Sequence, residues 1–260
     1  MTTDRYELRL ARLRELLSAP RRIAVAFSGG VDSTVLLHAA HAARGGDVVG
    51  VIADSPSLPR AELADARSAA RAIGVRLIVL ATDELEVEGY RRNAGDRCYW
   101  CRRTLFERME RWACAEGWDA LAYGEITDDL ADHRPGRRAA GEFGVLAPLA
   151  EAGFSKEDVR RYARSFGLSA AEKPASACLA SRIPVGRPVT REALARVERA
   201  EAAVRGLGFR VLRVRDHGER ARLEVGAGEL ARAELLRDRL AALLAADRFR
   251  ELELAVYGAR

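Results

Sequence analysis

Residues 22–34, Arg-Ile-Ala-Val-Ala-Phe-Ser-Gly-Gly-Val-Asp-Ser-Thr, constrain this chain more than any other stretch. Ile23 to Phe27 is a short apolar run with β-branched residues, and it reads as a buried strand. Ser28-Gly29-Gly30 turns at once, and Val31 to Ala43 reads as a helix with Val31, Val35, Leu36 and Ala39 on one face. A strand, a glycine turn and a helix start make an anion site. The first N–H groups of a helix have no internal partner, and the dipole adds partial positive charge there. Gly29 and Gly30 let the backbone approach a phosphate with no Cβ in the way. Ser28 and Ser33 add hydroxyl donors. Asp32 would repel a bare phosphate, so its presence calls for a divalent cation, Mg²⁺, on that phosphate.

The string lacks the Gly-x4-Gly-Lys-Ser/Thr pattern of the other large nucleotide-binding class. A Gly-Gly turn alone is only a tight strand-to-helix turn. The full Ser-Gly-Gly-x-Asp-Ser after a strand resembles the PP-loop of ATP pyrophosphatases, which cleave ATP between the α and β phosphates.

Around this motif, strand and helix patterns alternate. Residues 4–18 and 60–73 read as helices; Val48–Ala53, Val75–Leu80 and Asp119–Tyr123 read as strands. This predicts an α/β fold with a parallel, doubly wound sheet covered on both faces, Rossmann-like in kind. Ligands in such sheets lie beyond the carboxyl ends of the strands. The Ser28 turn, the Asp54–Pro59 loop with Ser55, and the loop from Gly124 are therefore expected to converge on ATP, with Ser28, Gly29, Gly30, Asp32, Ser33, Ser55 and Gly124 as its contacts. The Gly124 loop is rich in acids. Asp128 and Asp129 are candidates for Mg²⁺, although the spacing does not decide between them, Asp132 and an ordinary solvated loop.

The 260 residues suit one large domain plus a small one, expected at 1–185 and 186–260. No run approaches a membrane span, and the charged N-terminus has no signal-peptide core, so a cytoplasmic protein is expected. The net charge of +5 says little about nucleic acid, because the arginines alternate with acids as on a solvated helix face. All but two of the 43 basic residues are arginine, a bias typical of base composition. The two lysines, Lys156 and Lys173, stand against it. Ser155 and Asp158 read as the N-cap and N3 partner of a helix through Phe166, which accounts for Lys156 as structural.

Residues 171–188 hold three prolines and read as a structured loop. Within it Lys173 and Arg182 suit phosphate contacts, one as a point charge and the other as a bidentate fork. From Thr190 a small α+β region follows: a helix (190–207), strands 210–216 and 221–225 paired antiparallel around His217-Gly218-Glu219, a helix (229–246) and a strand (251–257). Arg213 and Arg215 share one strand face, either for a ligand phosphate or as a solvated surface.

Four cysteines in a cytosolic chain argue for metal or catalysis rather than disulfides. Cys98 and Cys101 form a Cys-x-x-Cys at a helix start, which lowers thiol pKa and suits metal or redox work. The second pair of a structural zinc site is absent, as are thioredoxin-like surroundings. With Cys178 they offer three thiolates to a [4Fe–4S] cluster. Cys114 is expected as a buried small hydrophobe. His38 and His41 lie on the helix after the turn, and His133 and His217 in loops, none with metal-ligand spacing.

Taken together, the segments Ser28–Ser33, Asp54–Pro59, Arg97–Arg102, Asp128–Gly136, Lys173–Arg182 and Leu212–Gly218 resemble the LarE family along nearly the whole chain. Lys-Pro-Ala-Ser-Ala-Cys-Leu-Ala-Ser-Arg, residues 173–182, is the most discriminating of these. The resemblance implies an ATP-dependent sulfur transferase serving the nickel-pincer nucleotide of lactate racemase. In that chemistry ATP adenylates a carboxylate of pyridinium-3,5-biscarboxylic acid mononucleotide and releases pyrophosphate. Sulfur then displaces AMP to leave a thiocarboxylate. It implies roles for Asp32, Lys173 and Cys178 in catalysis, and for Arg182, Arg213 and Arg215 at the substrate phosphate. It also implies a homo-oligomer.

The family divides by sulfur source. Members with only the cysteine matching Cys178 sacrifice its sulfur and end as dehydroalanine; those with three carry an open-iron [4Fe–4S] cluster. Cys98, Cys101 and Cys178 place this chain with the second group.

Three rivals use the same loop. A cluster-dependent tRNA thiolase calls for extra zinc-binding or RNA-binding modules. A nucleotide-binding regulator leaves Asp32, Lys173 and Cys178 without use, and an ammonia-using ligase leaves the cysteines idle.

Overall fold

The chain runs through α1 (Arg5–Ser18), β1 (Ile23–Ala26), α2 (Val31–Arg44), β2 (Val48–Asp54), α3 (Arg60–Ile73), β3 (Leu77–Ala81), α4 (Glu88–Arg92), α5 (Arg97–Glu116) and β4 (Ala120–Tyr123). It continues through α6 (Gly136–Glu142), α7 (Pro148–Glu151), α8 (Lys156–Ser165), α9 (Arg191–Gly206), β5 (Leu212–His217), β6 (Arg220–Val225), α10 (Leu230–Leu235), α11 (Arg237–Ala245) and β7 (Glu251–Val256). The structure is a computed structural model that describes residues 5–130, 135–174 and 177–258. Two compact units divide the chain: Met1–Glu84 with Asp96–Ser176, and Leu85–Gly95 with Ala177–Arg260.

In the first unit four parallel strands lie in the order β3-β2-β1-β4. Successive residues of a strand face opposite sides. Accordingly, Ile23 and Val25 enter the core with Leu36 and Leu37 of α2, Ala66 of α3 and Tyr162 of α8, whereas Ala24 enters a second core with Phe106 and Met109 of α5 and Ala139 of α6. Helices on both faces make this the doubly wound α/β fold that the alternating pattern predicts. The chain steps outward from β1 to β2 to β3, then returns to the other flank of β1 to make β4. That reversal opens a crevice between β1 and β4 at the strands' carboxyl ends.

Ser155 and Asp158 form the predicted capping box at α8. Ser155 Oγ accepts the Asp158 N–H at 3.3 Å, and Asp158 Oδ2 accepts the Ser155 N–H at 2.9 Å. Arg9 also pairs with Asp158. Ser155→Ala is expected to cost about 1 kcal/mol and roughly 2–4 °C in Tm. Thermal unfolding beside the wild type checks this, and an unchanged Tm would contradict the cap.

Cys114 departs from expectation. The buried residues of α5 are Tyr99, Phe106, Met109 and Ala113. Cys114 lies one residue past that stripe, about 100° around a helix of ~3.6 residues per turn, and is exposed.

In the second unit β5 and β6 pair antiparallel, as predicted, with Gly218 and Glu219 between them, and β7 joins β6 in parallel. Their core includes Val204, Phe209, Val214, Leu223, Leu240 and Leu244. The helix expected over 229–246 is broken at Leu236 into α10 and α11. Ala233 and Leu240 both face the core, and Leu235 is left 87% exposed. The segment Leu85–Gly95 belongs here because Asn93 holds it. Asn93 Nδ2 donates to the carbonyls of Pro184 at 2.8 Å and Arg187 at 2.9 Å. Among the described residues no helix is long and apolar enough to cross a membrane.

Candidate active site

The turn after β1 is built by its own side chains. Gly29 has φ +72°, and a Cβ there would stand 3.2 Å from the Cβ of Ala66, so backbone conformation and space both require glycine. Gly30 caps α2 in extended conformation, with no side chain on the helix N–H groups. Ser33 Oγ donates to the Gly30 carbonyl at 3.0 Å and accepts the Ser28 N–H at 3.2 Å. Ser33 is buried and shapes the loop; Ser28 is exposed, and its Oγ lies 3.2 Å from Ser33 Oγ and accepts the Gly30 N–H at 3.4 Å. The first turn of α2 thus presents its N–H groups and positive dipole end to the β1–β4 crevice.

β4 delivers Gly124 against that same turn. A Cβ on Gly124 would lie 2.9 Å from Ser33 N and 3.0 Å from the Asp32 carbonyl carbon. Beyond it, Glu125 is buried with Arg137 3.2 Å away. Burial, with the hydrogen bond to Glu125, pushes the Tyr123 phenol well above its ordinary range. Thr127 then anchors the loop, its N–H and Oγ1 both donating to the Phe154 carbonyl at 2.9 Å.

The two candidate magnesium acids have other partners. Asp129 Oδ2 accepts the Ile126 N–H of its own turn at 3.4 Å, and Asp128 Oδ2 accepts the Lys156 N–H at the start of α8. Asp132, His133 and Arg134 lie outside the described residues. Among the described residues no three His, Cys, Asp or Glu side chains group to hold a metal ion. Mg²⁺ usually arrives on nucleotide phosphates with one or two protein carboxylates, and no such cage is needed.

Asp32 has a partner that the sequence reading did not assign. Lys156 Nζ lies 2.8 Å from both of its carboxylate oxygens, joining the N-terminal turns of α2 and α8. The pair stays accessible, at 40% exposure for the Lys156 side chain and 27% for Asp32. The ammonium is thereby held beside the turn where a phosphate would sit. Lys156→Met is expected to lower kcat/KM for ATP by about 10–100-fold, the worth of one charge-assisted contact. Steady-state kinetics against ATP checks this, and an unchanged value would exclude Lys156 from the nucleotide site.

Ser55 and Lys173 are committed within the first unit. Ser55 is buried, and its Oγ accepts the Ser57 N–H at 3.2 Å. Beside it lies buried Glu84, whose pKa is raised by burial against the hydrogen bonds of Ser55, Ser57 and Thr82. Lys173 Nζ pairs with Glu62 at 2.7 Å and Asp65 at 3.1 Å. Burial alone would lower its pKa, but these two acids prevail and hold it above the ordinary lysine value. A phosphate contact by Lys173 therefore requires exchange of these partners.

None of the four cysteines forms a disulfide. Cys98 and Cys101, three apart, sit in the first turns of α5; Cys98 is exposed and Cys101 half-buried. Cys178 belongs to the second unit, at the start of the 3₁₀ turn Leu179–Arg182. Arg182 was expected at a phosphate. It is instead 4% exposed, and its guanidinium is occupied by Glu201 and by the carbonyls of Ala177 and Cys178. Arg213 and Arg215 do share a face of β5. Arg213 lies over the Tyr257 ring at 4.5 Å, and Arg215 pairs with buried Glu224.

No family model matches the chain. An uncharacterised protein of Synechocystis is 40% identical over 219 residues, 84% of this chain and 82% of that one. The pyridinium-3,5-bisthiocarboxylic acid mononucleotide synthase of Lactiplantibacillus plantarum is 34% identical over 252 residues, 96% of this chain and 90% of that one. The chain belongs to the LarE family. A shorter likeness, 33% over 160 residues, reaches the argininosuccinate synthase of Haloquadratum walsbyi and covers 56% of this chain and 40% of that one.

In this LarE-family chain, two partners of the candidate residues escaped sequence reasoning. Lys156 was visible as one of only two lysines, but the capping box around it already explained its segment. Glu201, the partner of Arg182, is one acid among many on α9 and gave no signal.

Proposed function

We propose that this chain is an ATP-dependent sulfur transferase that converts the carboxylates of pyridinium-3,5-biscarboxylic acid mononucleotide to thiocarboxylates for a nickel-pincer nucleotide. LarE-family membership across 96% of the chain carries the reading. The accessible glycine turn at α2, with Lys156 beside it, supports the ATP half of it.

In the first step a substrate carboxylate oxygen attacks the α-phosphorus of ATP. The bond to the bridging oxygen breaks, and pyrophosphate leaves with the electron pair. The N–H groups opening α2, the Ser28 hydroxyl and the Lys156 ammonium would stabilise that departing charge, and Mg²⁺ carried on the nucleotide adds to it. Asp32 is the proposed acid for that cation, which it would meet in exchange for Lys156. In the second step a sulfur nucleophile attacks the acyl carbon, the C–O bond to AMP breaks, and AMP leaves. Carboxylate oxygen is a poor leaving group and AMP a better one, which is why ATP is spent. The cycle repeats on the second carboxylate. Arg213 and Arg215 are the proposed holders of the substrate phosphate.

The donor set Cys98, Cys101 and Cys178 suits a [4Fe–4S] cluster by its chemistry: three cysteines outside any disulfide, two of them three residues apart at the start of α5. Bound there, the cluster supplies a labile sulfide. Protein purified without oxygen is expected to carry about four irons and four labile sulfides per chain, lost in Cys98→Ala/Cys101→Ala. Absence of iron from both makes Cys178 the donor. Its Sγ then attacks the acyl carbon, and loss of the Cα proton breaks the Cβ–Sγ bond, leaving dehydroalanine. The function itself is tested by pyrophosphate release. The dicarboxylate mononucleotide is expected to stimulate it and tRNA is not; the reverse would favour a tRNA thiolase.

A further inference from the structure

The carbonyl of Cys178 accepts three hydrogen bonds. Ser181 supplies two, from its N–H at 3.0 Å and its Oγ at 2.8 Å, and Arg182 Nη1 supplies the third at 3.0 Å. The same Nη1 also reaches the Ala177 carbonyl at 2.6 Å and Ser181 Oγ at 3.0 Å. The other edge of Arg182 forks onto Glu201, Nε to Oε1 at 2.8 Å and Nη2 to Oε2 at 3.3 Å. Glu201, 1% exposed, completes its contacts with Arg205 at 3.0 Å and with the backbone N–H of Val214 at 3.1 Å.

Val214 lies in β5 between Arg213 and Arg215. A second tie runs in parallel, from Arg215 Nη1 to the Ser181 carbonyl at 3.5 Å. One buried ion pair therefore fastens the turn that carries Cys178 to the strand that carries two arginines. Such a pair is costly to desolvate, and apolar residues of similar volume commonly match its stability. Its distinctive effect is register: it fixes one backbone segment against another.

We propose that Glu201, acting through Arg182, is a positioning residue that sets Cys178 at a fixed place relative to Arg213 and Arg215. This rests on the sulfur-transfer reading above. A substrate held by its phosphate on β5 then presents its acyl carbon at a set distance from the sulfur that Cys178 gives or holds. Misplacement by about 1 Å can cost a reaction on the order of 10²-fold. Adenylation does not use this geometry. Loosening the pair should therefore let the acyl adenylate lose AMP to water before sulfur arrives.

Glu201→Gln, purified without oxygen with its native iron, tests this. Thiocarboxylate formed per AMP released is expected to fall at least about tenfold, while substrate-dependent pyrophosphate release stays within about twofold of wild type. Alkylation of Cys178 by iodoacetamide, followed by peptide mapping with exposed Cys114 as internal reference, is expected to run several-fold faster. A purely structural defect would lower both half-reactions together and leave their ratio alone. Wild-type values of the ratio and of the Cys178 rate overturn the proposal. If Glu201→Gln is insoluble, Glu201→Asp keeps the charge but shortens its reach to the Arg182 fork; wild-type values there overturn it equally. Failure of the wild type to release pyrophosphate with the mononucleotide defeats the functional reading instead, and the alkylation rates still test the link between Glu201 and Cys178.

Discussion

Gly124→Ala is expected to reduce pyrophosphate release by about 10²–10³-fold, the loss that follows removal of a charge-stabilising donor or worse. The added methyl would stand 2.9 Å from Ser33 N, 3.0 Å from the Asp32 carbonyl carbon and 3.1 Å from Ser33 Cα. All three are backbone atoms of the first turn of α2. No flexible side chain is there to give way, so relief comes only by moving the N–H groups that the mechanism uses. The overpacking is confined to one contact at the sheet's edge, and a stability loss of about 1–3 kcal/mol leaves the protein folded. Pyrophosphate release and thermal unfolding, measured on one preparation, separate the two effects. An alanine variant within about threefold of wild-type activity would show that β4 and the loop after β1 do not share the site.

Cys178→Ser is expected to abolish thiocarboxylate formation, by at least about 10³-fold, while pyrophosphate release continues. Hydrogen bonds from Ser181 and Arg182 that shape the 178–182 turn end on the backbone carbonyl of residue 178. Serine leaves those bonds in place and takes away the sulfur. A hydroxyl at that position neither donates sulfur nor binds iron as a thiolate does. The acyl adenylate, still formed, is then consumed by water, and AMP appears without a sulfur product. Mass spectrometry of the mononucleotide beside a pyrophosphate assay reads both halves. Thiocarboxylate at the wild-type rate would remove Cys178 from the reaction.

The sequence made local structure legible where a single short-range rule governs it. The strand-turn-helix at Ile23–Arg44, the capping box at Ser155 and the β5–β6 hairpin all depend on residues within a few positions of one another. Long-range pairings were hidden. Lys156 meets Asp32 across 124 residues, and nothing in either segment names the other. Arg182 looked available because it stands in a loop with prolines and small residues. Its partner Glu201 lies on α9, whose alternating charges read as a solvated face even though its 201 position points into the core. Cys114 illustrates a phase error: it reads as a buried small hydrophobe, but it falls one residue past the buried stripe of α5.

The same distinction applies to the chemistry. A glycine turn that needs φ +72° at Gly29 is a local requirement and could be read directly. The commitments of Asp128, Lys173 and Arg182 to protein partners are tertiary facts, set by which helices the fold brings together.

The most direct test of sulfur transfer is the mass spectrum of pyridinium-3,5-biscarboxylic acid mononucleotide after incubation with this protein, ATP and Mg²⁺ in the absence of oxygen. The account predicts exchange of carboxylate oxygen for sulfur, with one AMP and one pyrophosphate formed for each sulfur delivered. AMP and pyrophosphate without any sulfur-containing product, or an unchanged mononucleotide with no ATP cleaved, would contradict it.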